Sequence, residues 1–87
     1  MLTQTDDMKS VHIQYFAMLK EQAGKSQETL LVSARTYGDL YLHLKNEHHF
    51  SLPLSMIQVA VNDGFSQLDR EINEGDRIVF IPPMAGG

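Results

Sequence analysis

Cysteine is missing from this sequence altogether. No disulfide staples the fold, no thiolate of the chain's own serves as a nucleophile, and no cysteine-based zinc or iron–sulfur site can form. Any sulfur chemistry must take its sulfur from a partner. Basic residues are also few. Seven Lys and Arg stand against eleven Asp and Glu, a formal net charge of −4. That balance argues against nucleic acid and against an anionic membrane, both of which select basic faces. It suits docking on a basic protein surface, where charge mainly steers encounter. No apolar run approaches membrane-spanning length. Residues 1–10 are polar with two aspartates, without the basic start and apolar middle of a signal peptide. A cytoplasmic protein is expected.

What is present fits one domain with one core: 87 residues, 43% of them hydrophobic. Residues 1–9 read as a flexible extension, 10–81 as the folded domain, and 82–87 as an extended tail. Residues 11–16 alternate apolar and polar, the period of a half-buried strand, with Val11, Ile13 and Tyr15 sharing one face and Phe16 turned to the other. Residues 17–23 suit a helical turn closed by Gly24 as a left-handed cap. Residues 28–32 form a second strand, close enough to the first for an antiparallel hairpin with an elaborate loop. Thr36 starts the main helix, with Asp39 at the capping-box spacing. Tyr37, Leu40, Tyr41, Leu44 and His48 make its apolar face, and Leu42 falls off that stripe. A strand over 58–62, the hairpin dipeptide Asp63-Gly64, a returning strand over 65–68, a Glu74-Gly75-Asp76 turn and a final strand over 77–81 complete the chain. The order predicts an α+β fold: a mixed sheet of about five strands with one main helix on one face.

Most candidate sites dissolve on inspection. His12, His43, His48 and His49 lack metal-ligand spacing, since His43 and His48 are five apart on a helix and His48 and His49 diverge. Residues 69–76 imitate a calcium loop, but the glycine stands one place late and Phe80 occupies the place of the closing glutamate, so an acidic, solvated turn is expected. Gly24, Gly38, Gly64 and Gly75 make no phosphate-cradling array. No metal and no cofactor bound by this chain is expected, and no catalytic constellation suggests an enzyme acting alone. Phe16, Phe65 and Ile81 read in either of two ways: an outward apolar patch of the kind that marks a protein interface, or a small second core.

The last seven residues stand apart. Pro82 and Pro83 stop the final strand, and Met84, Ala85, Gly86 and Gly87 follow. Glycine has no Cβ, so this end is slim enough to enter a narrow channel and present a carboxylate on Gly87. A frayed end is the plain alternative.

Taken together, Tyr15-Phe16-Ala17 with Lys20-Glu21, the Thr36 helix start, Val59-Ala60-Val61-Asn62, Glu74-Gly75-Asp76-Arg77-Ile78 and the run from Phe80 to Gly87 resemble the MoaD/ThiS sulfur-carrier family, of ubiquitin-like β-grasp fold. Within that family the chain is most similar to the small subunits of molybdopterin synthase. The ending is the specific part of the resemblance. It implies that an E1-like adenylyltransferase uses Mg-ATP to activate the Gly87 carboxylate as an acyl adenylate. Sulfur from a persulfide-bearing partner then leaves a thiocarboxylate on Gly87. The tail, Pro82 to Gly86, would be recognised by the large catalytic subunit, where sulfur passes to cyclic pyranopterin monophosphate. Phe16, Phe65 and Ile81 would contact both partners in turn. Two rivals share the features: a thiazole-pathway carrier, and a ubiquitin-like modifier joined through Gly87 to lysines. Ubiquitin-type tails carry arginine before the glycines, and none lies between Ile81 and Gly87.

Overall fold

A computed structural model of the chain describes residues 8–83. Its strands are β1 (Lys9–Tyr15), β2 (Gln27–Val32), β3 (Gln58–Val61), β4 (Gly64–Ser66) and β5 (Arg77–Ile81); its helices are α1 (Ala17–Ala23) and α2 (Tyr37–His48). A short 3-10 turn, Leu54–Met56, precedes β3. The five strands form one mixed sheet in the order β2-β1-β5-β3-β4. β1 runs parallel to β5 and antiparallel to β2, while β3 is antiparallel to both β5 and β4. The expected α+β architecture is observed. The connection between β1 and β2 holds a full helix, α1, and β1 begins at Lys9, inside the stretch read as an extension.

Alternation decides which way each strand faces. Val11, Ile13 and Tyr15 on β1, Val59 on β3, and Ile78 and Phe80 on β5 are buried on the helix side. Tyr37, Leu40, Tyr41 and Leu44 of α2 pack down on them, as the stripe predicts, and Leu42 is exposed. Tyr41 stacks on Phe50 with ring centroids 5.7 Å apart and meets Phe80 edge-on at 5.4 Å. Burying side chains of this size stabilises by roughly 1.5–3 kcal/mol each. α2 is held at both ends. The Thr36 hydroxyl accepts from the Asp39 N–H at 3.1 Å, and His49, in the left-handed region at φ 60°, donates its N–H to the Lys45 carbonyl.

Two expectations about loops are corrected. The hairpin turn is Asn62-Asp63, not Asp63-Gly64: Asn62 (φ 51°) and Asp63 (φ 78°) take the left-handed conformations, and Gly64 already pairs with Val61 in β4. Asn and Asp tolerate positive φ, so glycine is not needed there. The side chain of Asn62 fixes the register, donating to Asp76 Oδ1 at 3.1 Å and accepting from the Arg77 N–H at 2.9 Å. Likewise, 69–76 is not simply a solvated acidic turn. Ile72 sits in the core and Asp76 is 3% exposed. Asp76 accepts from the Tyr37 hydroxyl at 2.6 Å and the Asn73 N–H at 2.8 Å, so with Asn62 three donors, two of them from other segments, compensate its burial. β4 also ends at Ser66, short of the expected 68.

Candidate functional site

The helices cover one face of the sheet and leave the other open. Cross-strand register builds a continuous row on that open face: Gln27, Gln14, Val79, Ala60 and Phe65, one residue from each of the five strands. Val79 and Ala60 are half-buried, and Phe65 is 76% exposed. Phe16 lies just past the end of β1, as the N-cap residue of α1 rather than within the strand, and is 49% exposed. It lines a shallow groove of about 410 Å³ together with Val79, Ile81 and Ala60. Phe16, Phe65 and Ile81 are therefore brought to the open face, and among the described residues no second core encloses them. The alternation that buries Ile78 and Phe80 sends Val79 outward with Ile81. That signal was present in the sequence and identifies Val79 as a further member of the face, which Ala60 joins through its pairing with Val79 and Phe65.

A polar margin bounds the patch. Arg77 pairs with Asp63 at 3.0 Å, exposed to solvent and so worth little in stability. His12 lies in register with Arg77, its ring nitrogens hydrogen bonded to Thr29 Oγ1 at 3.0 Å and Gln27 Oε1 at 2.9 Å. His48 is bonded to Glu28, His49 caps α2 through its backbone N–H, and the His43 and His49 side chains are exposed. Among the described residues no three metal-ligating side chains come together.

The tail root sits at the edge of the open face. Ile81 pairs with Gln58, Pro82 is buried, and Pro83 is exposed. Ile81, Pro82 and Pro83 border a groove of about 370 Å³ with Met56 and Ile57, so the 3-10 turn forms a wall beside the root. Met84, Ala85, Gly86 and Gly87 lie outside the described residues. No helix among the described residues is long and apolar enough to cross a membrane.

A second cluster lies on the helix side. Glu28 accepts from Tyr15 Oη at 2.5 Å, Lys25 Nζ at 3.2 Å and His48 Nε2 at 3.0 Å. Partial burial works to raise the Glu28 pKa, but the hydrogen bonds from Tyr15, His48 and Lys25 outweigh it and hold the carboxyl below its ordinary value. Burial, then the adjoining Glu28, pushes Tyr15 far up, and burial with Asp76 does the same to Tyr37. Both phenols stay protonated as hydrogen-bond donors.

Comparison with known proteins agrees with this architecture. The ThiS family matches residues 13–87. SAMP1 from Haloferax volcanii is 27% identical, with a TM-score of 0.70, over 90% of this chain and 99% of that one. A chain in the complex of subunits 1 and 2 of molybdopterin-converting factor from Helicobacter pylori is 25% identical, with a TM-score of 0.58, over 90% and 99%. The ubiquitin of Caldiarchaeum subterraneum, 17% identical with a TM-score of 0.61 over 92% and 99%, shares the fold.

Proposed function

This chain belongs to the ThiS family, and we propose that it is the sulfur-carrier subunit of a molybdopterin synthase, with Gly87 as the carrying residue. The supporting observation is positional. β5 ends at Ile81 on the rim of an open apolar face, and Pro82 and Pro83 leave the sheet there. A partner that covers Phe16, Phe65, Val79 and Ile81 also takes hold of the root of residues 84–87. The likeness to a chain from a two-subunit molybdopterin-converting factor favours the molybdenum pathway and a protein partner.

The chemistry follows from the acyl group. A free carboxylate is a poor acyl donor, so an E1-like partner uses Mg-ATP to convert Gly87 to an acyl adenylate. ATP and magnesium belong to that partner. The terminal sulfur of a protein persulfide displaces AMP to form an acyl disulfide. A second thiol of that partner attacks its S–S bond, leaving a disulfide on the partner and releasing the Gly87 thiocarboxylate. That sulfur is largely ionised at neutral pH and is a good nucleophile. In the large catalytic subunit it passes to cyclic pyranopterin monophosphate, and two deliveries build the dithiolene. Docking makes each transfer effectively intramolecular.

Intact mass measurement after coexpression with the adenylating partner tests the reading, and also reads whether the cellular chain ends at Gly87. The expected mass rises by the difference between sulfur and oxygen. Deleting Gly87 is expected to abolish sulfur transfer without altering melting temperature. Restoration of molybdopterin synthesis in a carrier-deficient cell by the truncated chain would sink the proposal. The likeness to SAMP1, a small archaeal modifier protein, favours a second reading, conjugation through Gly87. Higher-mass adducts on other proteins would select it.

A further inference from the structure

The two edges of the sheet are unlike. β4 is three residues long, which limits what can pair with it. β2 runs for six residues, and among the described residues nothing pairs with its outer side. The Tyr15 N–H bonds the Ser26 carbonyl, which sets the alternation along the β1–β2 ladder. Glu28, Leu30 and Val32 turn their backbone groups toward β1, so Gln27, Thr29 and Leu31 turn theirs outward. Natural edges are usually guarded by lysine, proline or a bulge. These three positions carry none, and Leu31 is 64% exposed.

Beside this edge a groove of about 630 Å³ separates β2 from α2. Leu30 and Leu44 supply its apolar floor, and Asp39, His43 and Glu47 line its wall. Asp39 and Glu47 are exposed and make no ion pair among the described residues, whereas Glu28 is fully occupied by Tyr15, Lys25 and His48. On the helix Asp39 and Glu47 are about 12 Å apart. Two residues four apart on a strand, pointing the same way, are separated by about 13 Å.

We propose that the β2 edge and the groove behind it form a docking site for an extended, basic segment of a partner protein, which adds as a sixth strand. Apolar side chains of that strand would rest on Leu30 and Leu44, and two Lys or Arg four residues apart would meet Asp39 and Glu47. A second copy of this chain fits poorly. Antiparallel β2–β2 pairing would place the two α2 helices on the same side, with their acidic walls facing. The site lies at the opposite end of the strand order from Phe65 and is independent of the sulfur-carrier reading, so either can fail alone.

The test uses the full chain, isotopically labelled, titrated with the synthetic peptide Val-Thr-Lys-Thr-Val-Thr-Lys-Thr-Val. Saturable amide shifts centred on Thr29 and Leu31, with slowed hydrogen exchange at those two positions, are expected. Leu31→Pro removes one outward N–H while sparing the β1 ladder, and should weaken binding more than tenfold. Should that variant fail to fold, the pair Asp39→Lys and Glu47→Lys should do the same and should accept the peptide with Glu in place of Lys. The proposal is overturned by shifts centred on Phe65 and Val79, or by absence of saturation at millimolar peptide. It is equally overturned if Thr29 and Leu31 amides are already protected before peptide is added, since the edge is then covered by this chain or by a second copy.

Discussion

Three polar side chains converge on Glu28, and its ionisation gives a pH signature. Its folded pKa lies below the 4.5 of an unperturbed glutamate, so the unfolded chain binds the proton more readily. The stability it supplies is complete above that value and fades as pH falls through the lower folded one. Replacing it by glutamine should cost about 1–3 kcal/mol near neutrality, the range for hydrogen bonds to a charged group. Thermal melts of parent and Glu28→Gln should converge as pH falls through the lowered folded pKa of Glu28. A gap that stayed constant with pH would show that the carboxylate charge contributes nothing. Neither this cluster nor the burial of Asp76 was legible in the sequence. Both depend on side chains from distant segments meeting, Tyr15 with Glu28 and His48, and Tyr37 with Asn62 and Asp76, and no local periodicity reports such meetings.

Elements were far more legible than their junctions. The α2 stripe, the Thr36 cap, the Gly24 cap and the strand alternations are local signals, and the structure follows them. The β3–β4 turn slipped by one residue, because Asp63-Gly64 is the stronger dipeptide locally while the Asn62 side chain is held by Asp76 and Arg77 across the sheet. That difference is measurable. Gly64 has negative φ and open space where a Cβ would stand, so Gly64→Ala should leave chemical denaturation within about 0.5 kcal/mol of the parent. Asn62→Ala loses both its tolerance of positive φ and two hydrogen bonds, and should cost about 2 kcal/mol. Equal costs would return the turn to Asp63-Gly64. The outward residues of β5 were legible too, since Arg77 to Ile81 alternates, but strand order was not, so Ala60 could not be joined to Val79 and Phe65 beforehand.

At the scale of the molecule, a core on one side of the sheet and an apolar face on the other divide stability from docking. Phe65→Asp and Ile81→Lys each alter the open face at a side chain that is exposed or half-buried rather than part of the core. Both should weaken binding to the proposed large-subunit partner at least tenfold in calorimetry, while the melting temperature shifts by only a few degrees. If stability and affinity fell together, that face would be structural. Under the proposed sulfur-carrier function the two partners would use the same surface, and each should displace the other in a titration. The parallel pairing of β1 with β5 has a consequence for biosynthesis. The last strand in chain order occupies the middle of the sheet, between β1 and β3. A growing polypeptide holding everything up to the β3–β4 hairpin therefore has two half-sheets and no strand to join them. The sheet can close only once β5 is free to pair with both. A chain ending before β5 cannot close its sheet and should be cut far faster than the parent in limited proteolysis.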